Sequence, residues 1–161
     1  KERNLRILEK ELAEKPDDFL AHFFLGKEYR NGQHYAEAGK YFEKALALSE
    51  ERPESLLRLK TFSYLGEAHL CLGQTESAEE YYRKGLEAFV DNPELLFGLG
   101  EARRAAGDRE GAVQYYTAAT KGRFGNRLAN QDFLCRDLKP RIRLAEMALE
   151  ERTRANPTCK G

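Results

Sequence analysis

The sequence predicts an all-α fold, a right-handed α-solenoid of about three helix pairs with a capping helix at each end. Two observations lead there. First, a Leu-Gly pair recurs as Leu25-Gly26, Leu65-Gly66 and Leu99-Gly100. An alanine and then an aromatic follow each time: Ala38 and Phe42, Ala78 and Tyr82, Ala112 and Tyr116. Three copies at intervals of 40 and 34 residues mark a repeat array. Second, the apolar and small residues within each copy fall three or four apart, a helical period and not a strand period.

Each element has its own justification. Residues 3–14 read as a helix with Leu5, Leu8 and Leu12 on one stripe. Pro16-Asp17-Asp18 ends it and caps the next. This segment, 1–16, has the form of the second helix of a preceding unit and would cover the open face of the first repeat. The first repeat, 18–50, has helices near 18–31 and 35–50. The second, 54–90, has helices near 54–72 and 75–89, with Pro53 suited to the first turn and Thr75 as a cap. The third, 92–121, has helices near 93–106 and 109–121. Asn92-Pro93-Glu94 opens it with a capping Asn, Pro at the first helical place, and an acid near the positive end of the dipole. Asp108 caps its second helix after Gly107.

The pattern lapses after Lys121. Residues 122–126 read as a loop, and a short helix is expected near 127–134. A longer helix from Asp137 to Thr153 carries Leu138, Ile142, Ala145 and Leu149 on one face. That face would pack on the third repeat as a C-terminal cap, with Pro140 tolerated in the first turn. The last residues fray. Residues 1–161 then form a single domain.

Gly26, Gly66 and Gly100 share one slot. An interior helical Gly costs roughly 1 kcal/mol against Ala, so three at one slot need a common cause. The expected cause is a backbone too close to its neighbour for a side chain. Ala38, Ala78 and Ala112 would offer the facing small surface, with Phe42, Tyr82 and Tyr116 filling the space beside each crossing.

These residues resemble the tetratricopeptide repeat (TPR) over about residues 19–120. Its pattern asks for a large residue, Leu-Gly, an aromatic, a turn Gly, then Ala, an aromatic and Ala. Here the large position reads His22, Phe62 and Leu96, and the aromatic after Leu-Gly reads Tyr29, His69 and Arg103. Gly32 sits one place early against Gly73 and Gly107. The additional residues between copies one and two fall around Ser49 to Lys60.

Composition bounds the function. The chain has 27 basic and 27 acidic residues among 161. That balance argues against a dedicated nucleic-acid binder. Residues 121–161 hold ten Lys/Arg against five Asp/Glu, which suits either an acidic partner or membrane surface or simply solvated helix faces. Cys71, Cys135 and Cys159 form no close pair and fit reduced thiols in a cytoplasm. No His/Cys spacing suits a metal; His69 reads as a packed side chain and Cys71 as an inert small one. No apolar run reaches the ~20 residues of a membrane span. The chain opens on Lys1 and not Met, as a piece of a longer protein would.

Nothing reads as an active site. There is no phosphate loop and no Ser-His-Asp arrangement. Glu79-Glu80 and Glu150-Glu151 point about 100° apart on a helix and do not converge. Neither catalysis nor a cofactor is expected. The resemblance implies instead a concave groove lined by the first helix of each pair. Its groove slots fall on Leu20, Phe23, Lys27 and Arg30, on Lys60, Ser63, Glu67, Leu70 and Cys71, and on Glu94, Phe97, Glu101 and Arg104. Phe23 and Phe97 are either peptide anchors beside Lys and Arg or rings covered by neighbouring helices. One TPR subclass clamps the C-terminal carboxylate of chaperones with Lys and Asn. The matching places here hold Phe23, Lys27, Ser63, Glu67 and Glu94, so that clamp is absent.

The first functional expectation is a scaffold that binds a protein or peptide, without turnover. A second comes from Arg3-Asn4-Leu5-Arg6-Ile7-Leu8-Glu9-Lys10-Glu11-Leu12, Pro16-Asp17-Asp18, and Lys139-Pro140-Arg141 through Leu144-Ala145-Glu146. These motifs are similar to the TPR tails of some bacterial family-2-type glycosyltransferases, which implies an accessory domain that itself transfers no sugar. A third is self-association through terminal repeats, using Phe124 or Phe133.

Overall fold

The computed structural model describes residues 2–49, 55–121 and 138–155. Among the described residues stand eight α-helices and no strand. They are α1 (Glu2–Glu14), α2 (Phe19–Asn31), α3 (Tyr35–Ala47), α4 (Leu56–Cys71), α5 (Thr75–Ala88), α6 (Pro93–Ala105), α7 (Arg109–Lys121) and α8 (Lys139–Ala155). Contacts divide the chain into two compact units, Lys1–Val90 and Asp91–Gly161. In the first unit each helix from α1 to α5 packs on the next, and α2 also touches α4. In the second, α6 packs on α7 and α7 on α8.

Polar side chains start the first helix of each pair. Asp18 accepts from the Ala21 amide at 3.0 Å, Ser55 from Arg58 at 3.1 Å, and Asn92 from Glu94 at 3.0 Å and Leu95 at 3.3 Å. Each bond satisfies an amide that has no partner inside the helix. The second helices need less, because a tight turn delivers the chain to them. The turn bonds repeat in register: Gln33, Gly73 and Gly107 amides reach Arg30, Leu70 and Arg104 carbonyls, and the next amides reach Tyr29, His69 and Arg103. This double bond pattern needs a left-handed residue. Gly73 (φ 74°) and Gly107 (φ 82°) supply it, but in the first copy Gln33 does, at φ 64°. Gly32 is therefore not the turn residue, which explains why it sits one place early.

The cores follow from the repeat. In the first unit Phe19, Phe23, Ala38, Phe42, Ala45 and Leu65 are buried together. In the second, Ala112, Tyr116 and Met147 are buried, with Phe97 and Leu144 against them. Burying each large apolar side chain contributes about 1.5–3 kcal/mol. The shared glycine slot has a sharper cause than close backbones. A Cβ on Gly26 would lie 2.7 Å from the Phe42 ring, on Gly66 2.3 Å from Tyr82, and on Gly100 2.4 Å from Tyr116. The aromatic of the second helix lies against the glycine itself, and the ring, not facing backbone, excludes a side chain.

Several boundaries move. The expected opening at 54 becomes Leu56, capped by Ser55; Pro53 lies outside the described residues. Helix α4 runs 16 residues against 13 in α2 and α6, so part of the insertion after the first copy lengthens this helix. Thr75 is the first helical residue, and Gln74 precedes it with no side-chain cap. The loop at 122–126, the short helix near 127–134, Phe124, Phe133, Cys135 and Cys159 lie outside the described residues.

The largest correction concerns α8. Leu138, Ile142 and Leu149 were expected to pack on the third repeat, yet they are exposed, as is Ala145. The face turned to α7 carries Pro140, Leu144 and Met147 instead. Charge decides between the two stripes. With Met147 inward, Arg143 reaches Glu101, and Arg109 of α7 reaches Glu150 and Glu151.

Candidate partner-binding face

In the first unit the face presented by α2 and α4 is built over an ion pair. Arg30 donates through Nε to Glu67 Oε2 at 2.8 Å and through Nη2 to Oε1 at 3.1 Å. This two-pronged geometry makes the pair stronger than a single contact. The guanidinium also lies 4.2 Å over the Tyr64 ring, an added cation–π attraction. Arg30 and Glu67 were expected to offer charge to a ligand, but they engage each other and tie α2 to α4.

Phe23 is not an anchor. It is 3% exposed and stacks on Phe19 at 6.2 Å and on Tyr64 at 6.0 Å. The face of α2 that meets solvent carries the residue after it. Phe24 is 40% exposed and Leu20 41%, one turn apart, with exposed Lys27 beyond them. Phe24 also lies edge-on to Phe23 at 5.4 Å, so its base is fixed by the core. The sequence reading missed Phe24 because two adjacent phenylalanines compete for one slot. The signal was available in the i, i+4 spacing of Leu20 and Phe24. Lys60 and Leu70 are half-buried, Ser63 is buried, and Cys71 is an exposed free thiol. His69 stacks on Tyr81 at 5.1 Å and shares a 2.6 Å hydrogen bond with Gln74.

In the second unit the corresponding floor is reversed in sign. Glu101 on α6 accepts from Arg143 of α8 at 2.8 and 3.2 Å, from the Tyr116 hydroxyl at 2.6 Å, and from Arg104 at 3.3 Å. Burial pushes this carboxyl up, but the hydrogen bonds from Arg143 and Tyr116 and the nearby arginines outweigh it and hold it below the ordinary range. Burial and the bond to Glu101 together push the Tyr116 phenol well up. Phe97 is half-buried against Tyr116 at 5.6 Å, with the Lys139 ammonium 5.7 Å from its ring. Glu94 is buried and offers little to a partner. Arg143 was absent from the expected groove, since the sequence reading aimed α8 the other way.

No cluster of three or more His, Cys, Asp or Glu among the described residues could hold a metal ion. None of their helices is long and apolar enough to cross a membrane.

Helix pairs repeated at a fixed slot, each locked by a glycine under an aromatic ring, define a tandem α-helical repeat protein. Two models of the tetratricopeptide repeat match residues 17–89 and 65–126. Together they span more than half of the chain, which belongs to the TPR family. It is 30% identical over 99 residues to "Protein CTR9 homolog" of Arabidopsis thaliana, an alignment covering 60% of this chain and 9% of that protein. It is 29% identical over 97 residues to "Tetratricopeptide repeat protein 8" of Mus musculus, covering 60% and 18%. The chain thus matches less than a fifth of the length of these relatives. Among solved structures, MamA is similar at TM-score 0.66 and 19% identity, covering 94% of this chain and 89% of its own. The type III secretion translocator chaperone SycD of Yersinia enterocolitica is similar at TM-score 0.63 and 20% identity, covering 83% and 93%. At these identities the likeness shows the fold.

Proposed function

We propose that this chain is a non-catalytic interaction module that seats a peptide or partner domain on its first helices. The observation that carries the reading is the exposed pair Leu20 and Phe24 beside Lys27, above a floor already closed by Arg30 and Glu67. An aromatic held rigidly at its base, open at its edge and next to a cation is the kind of group that dominates binding energy. The even charge of the chain supports a protein partner over a nucleic acid.

The test places a photo-crosslinking phenylalanine analogue at position 24, identifies the captured protein by mass spectrometry, and measures its binding by calorimetry. Phe24→Ala and Lys27→Ala are each expected to weaken that binding about tenfold or more, which corresponds to about 1.4 kcal/mol. Undiminished affinity in both variants rules this face out.

A further inference from the structure

We infer that the outward face of α8 pairs with the same face of a second copy of this chain, the two helices running parallel. The inference stands apart from the partner face on α2. Leu138, Ile142, Ala145 and Leu149 follow one another at steps of four, three and four residues. At about 100° per residue they fall within an arc of about 60°, on the side of the helix away from buried Pro140 and Met147. All four are exposed, Leu138 by 45%, Ile142 by 46% and Leu149 by 61%. A helix that closes a repeat array turns a polar face outward. The last of the described helices does the opposite, and a contiguous apolar stripe of this kind marks a contact surface.

The charges beside the stripe select the occupant. The spacing is that of a two-helix seam, with Ile142 and Leu149 in one set of core places and Leu138 and Ala145 in the other; a β-branched residue in the Ile142 place suits two parallel strands. Arg141 lies on one flank of the stripe and Glu146 on the other, five residues further on. In two parallel helices in register, flanking residues so placed meet across the seam. Each Arg141 then faces Glu146 of the second copy, twice by symmetry. Arg141 is exposed and makes no hydrogen bond or ion pair among the described residues. Glu146 is held at its Oε2 by Arg143 Nη1 at 2.8 Å, and its side chain is 50% exposed.

An antiparallel pair would instead need Lys139 to reach Glu146 of the second copy, but the Lys139 ammonium lies 5.7 Å from the Phe97 ring of its own unit. The parallel pair uses only side chains that the unit has left outward. Helix α8 is already formed against α7, so pairing incurs no helix nucleation. A seam of four residues is short, which places the dimer among small, transient interfaces.

The test is sedimentation of the full chain over a concentration series reaching about 1 mM, the range in which weak association shows. The average mass is expected to rise from that of the monomer towards twice that value. Ile142→Glu, which removes an apolar side chain from each copy, should weaken the dimer about tenfold or more. Arg141→Glu and Glu146→Arg should each weaken it about fivefold, since each turns two attractive pairs into repulsive ones. Mixing those two variants restores opposite charges at both crossings, and the mixture should associate about as tightly as the unaltered chain. All three sites are exposed, and unchanged melting temperatures would confirm that folding is intact. A strict monomer throughout the series leaves the stripe to some other occupant and overturns the inference. So does a dimer indifferent to Ile142→Glu, or a mixture no tighter than its two components. Crosslinking at position 24 reads the first unit separately, so a partner captured there would stand even if this pairing fails.

Discussion

The two units close their floors with the same bond in opposite polarity. In the first unit the base lies on the earlier helix and the acid on the later one, Arg30 to Glu67. In the second the acid comes first, Glu101 to Arg143. The swap changes the stoichiometry. Arg30 and Glu67 satisfy each other, with Tyr64 beneath the guanidinium, and the exposed chemistry left on α2 is Leu20 and Phe24 beside Lys27. Glu101 takes three donor residues at once, Tyr116, Arg143 and Arg104. One scaffold thus yields a closed two-residue ion pair in one unit and a carboxylate shared among several donors in the other.

The strongest way to break the comparison is through what the units share. A methyl group on Gly66 or Gly100 would meet Tyr82 or Tyr116 at 2.3 and 2.4 Å. The ring sits within a packed core, and overpacking of this kind costs typically 1–3 kcal/mol. Gly66→Ala and Gly100→Ala are expected near 3 kcal/mol in urea unfolding. Gly39, in helix α3, has nothing within 4 Å of its would-be Cβ. Gly39→Ala should instead gain about 1 kcal/mol from helix propensity. If all three shift the same way, the glycine–aromatic lock is not the organising contact.

The floors themselves come next. Glu101→Leu leaves Arg143 and the Tyr116 hydroxyl without their acceptor in a part-buried setting, a loss of about 2 kcal/mol. Glu67→Leu removes a more exposed carboxylate and should cost about 1 kcal/mol or less. Equal losses would mean that the reversed polarity has no energetic consequence.

A smaller effect separates Glu101 by pH. Its carboxyl titrates below the ordinary 4.5, so the unfolded chain binds its proton first as acid is added. The stabilisation is complete above about pH 4.5 and is lost as pH falls through the lower folded value. Glu101→Gln should flatten the acid limb of a melting-temperature profile. A limb of unchanged slope would show that Glu101 is not the group responsible.

Much of the repeat was legible from residues alone, because Leu-Gly, Ala and the aromatic each do a local job that recurs. Asn92 and Asp108 cap where their side chains predict. What escaped was choice between equivalent neighbours. Phe23 and Phe24 are the same residue type at adjacent positions, and only packing against Phe19 and Tyr64 decides which is buried. On α8 the stripe richer in leucine and isoleucine lost to one with Pro140 and Met147. The salt links from Arg143 to Glu101 and from Arg109 to Glu150 join residues about 40 apart in sequence. Apolar periodicity carries no record of such pairs.

The smallest effect sharpens the comparison between copies. Gln33 holds the left-handed turn that Gly73 and Gly107 hold elsewhere, with the same two hydrogen bonds closing it. A side chain in this conformation costs roughly 1–2 kcal/mol, whereas glycine adopts it freely and gives back part of the gain through a more flexible unfolded chain. Gln33→Gly should therefore stabilise by about 0.5 kcal/mol, a rise in melting temperature of about 1–2 °C for a chain of this size. Gly107→Gln should lose about 0.5 kcal/mol by the same reasoning in reverse. Opposite signs at the two positions would place the early Gly32 as a shifted neighbour of the turn. A loss in both would show that the Gln33 side chain contributes something to the first unit that its left-handed backbone conceals.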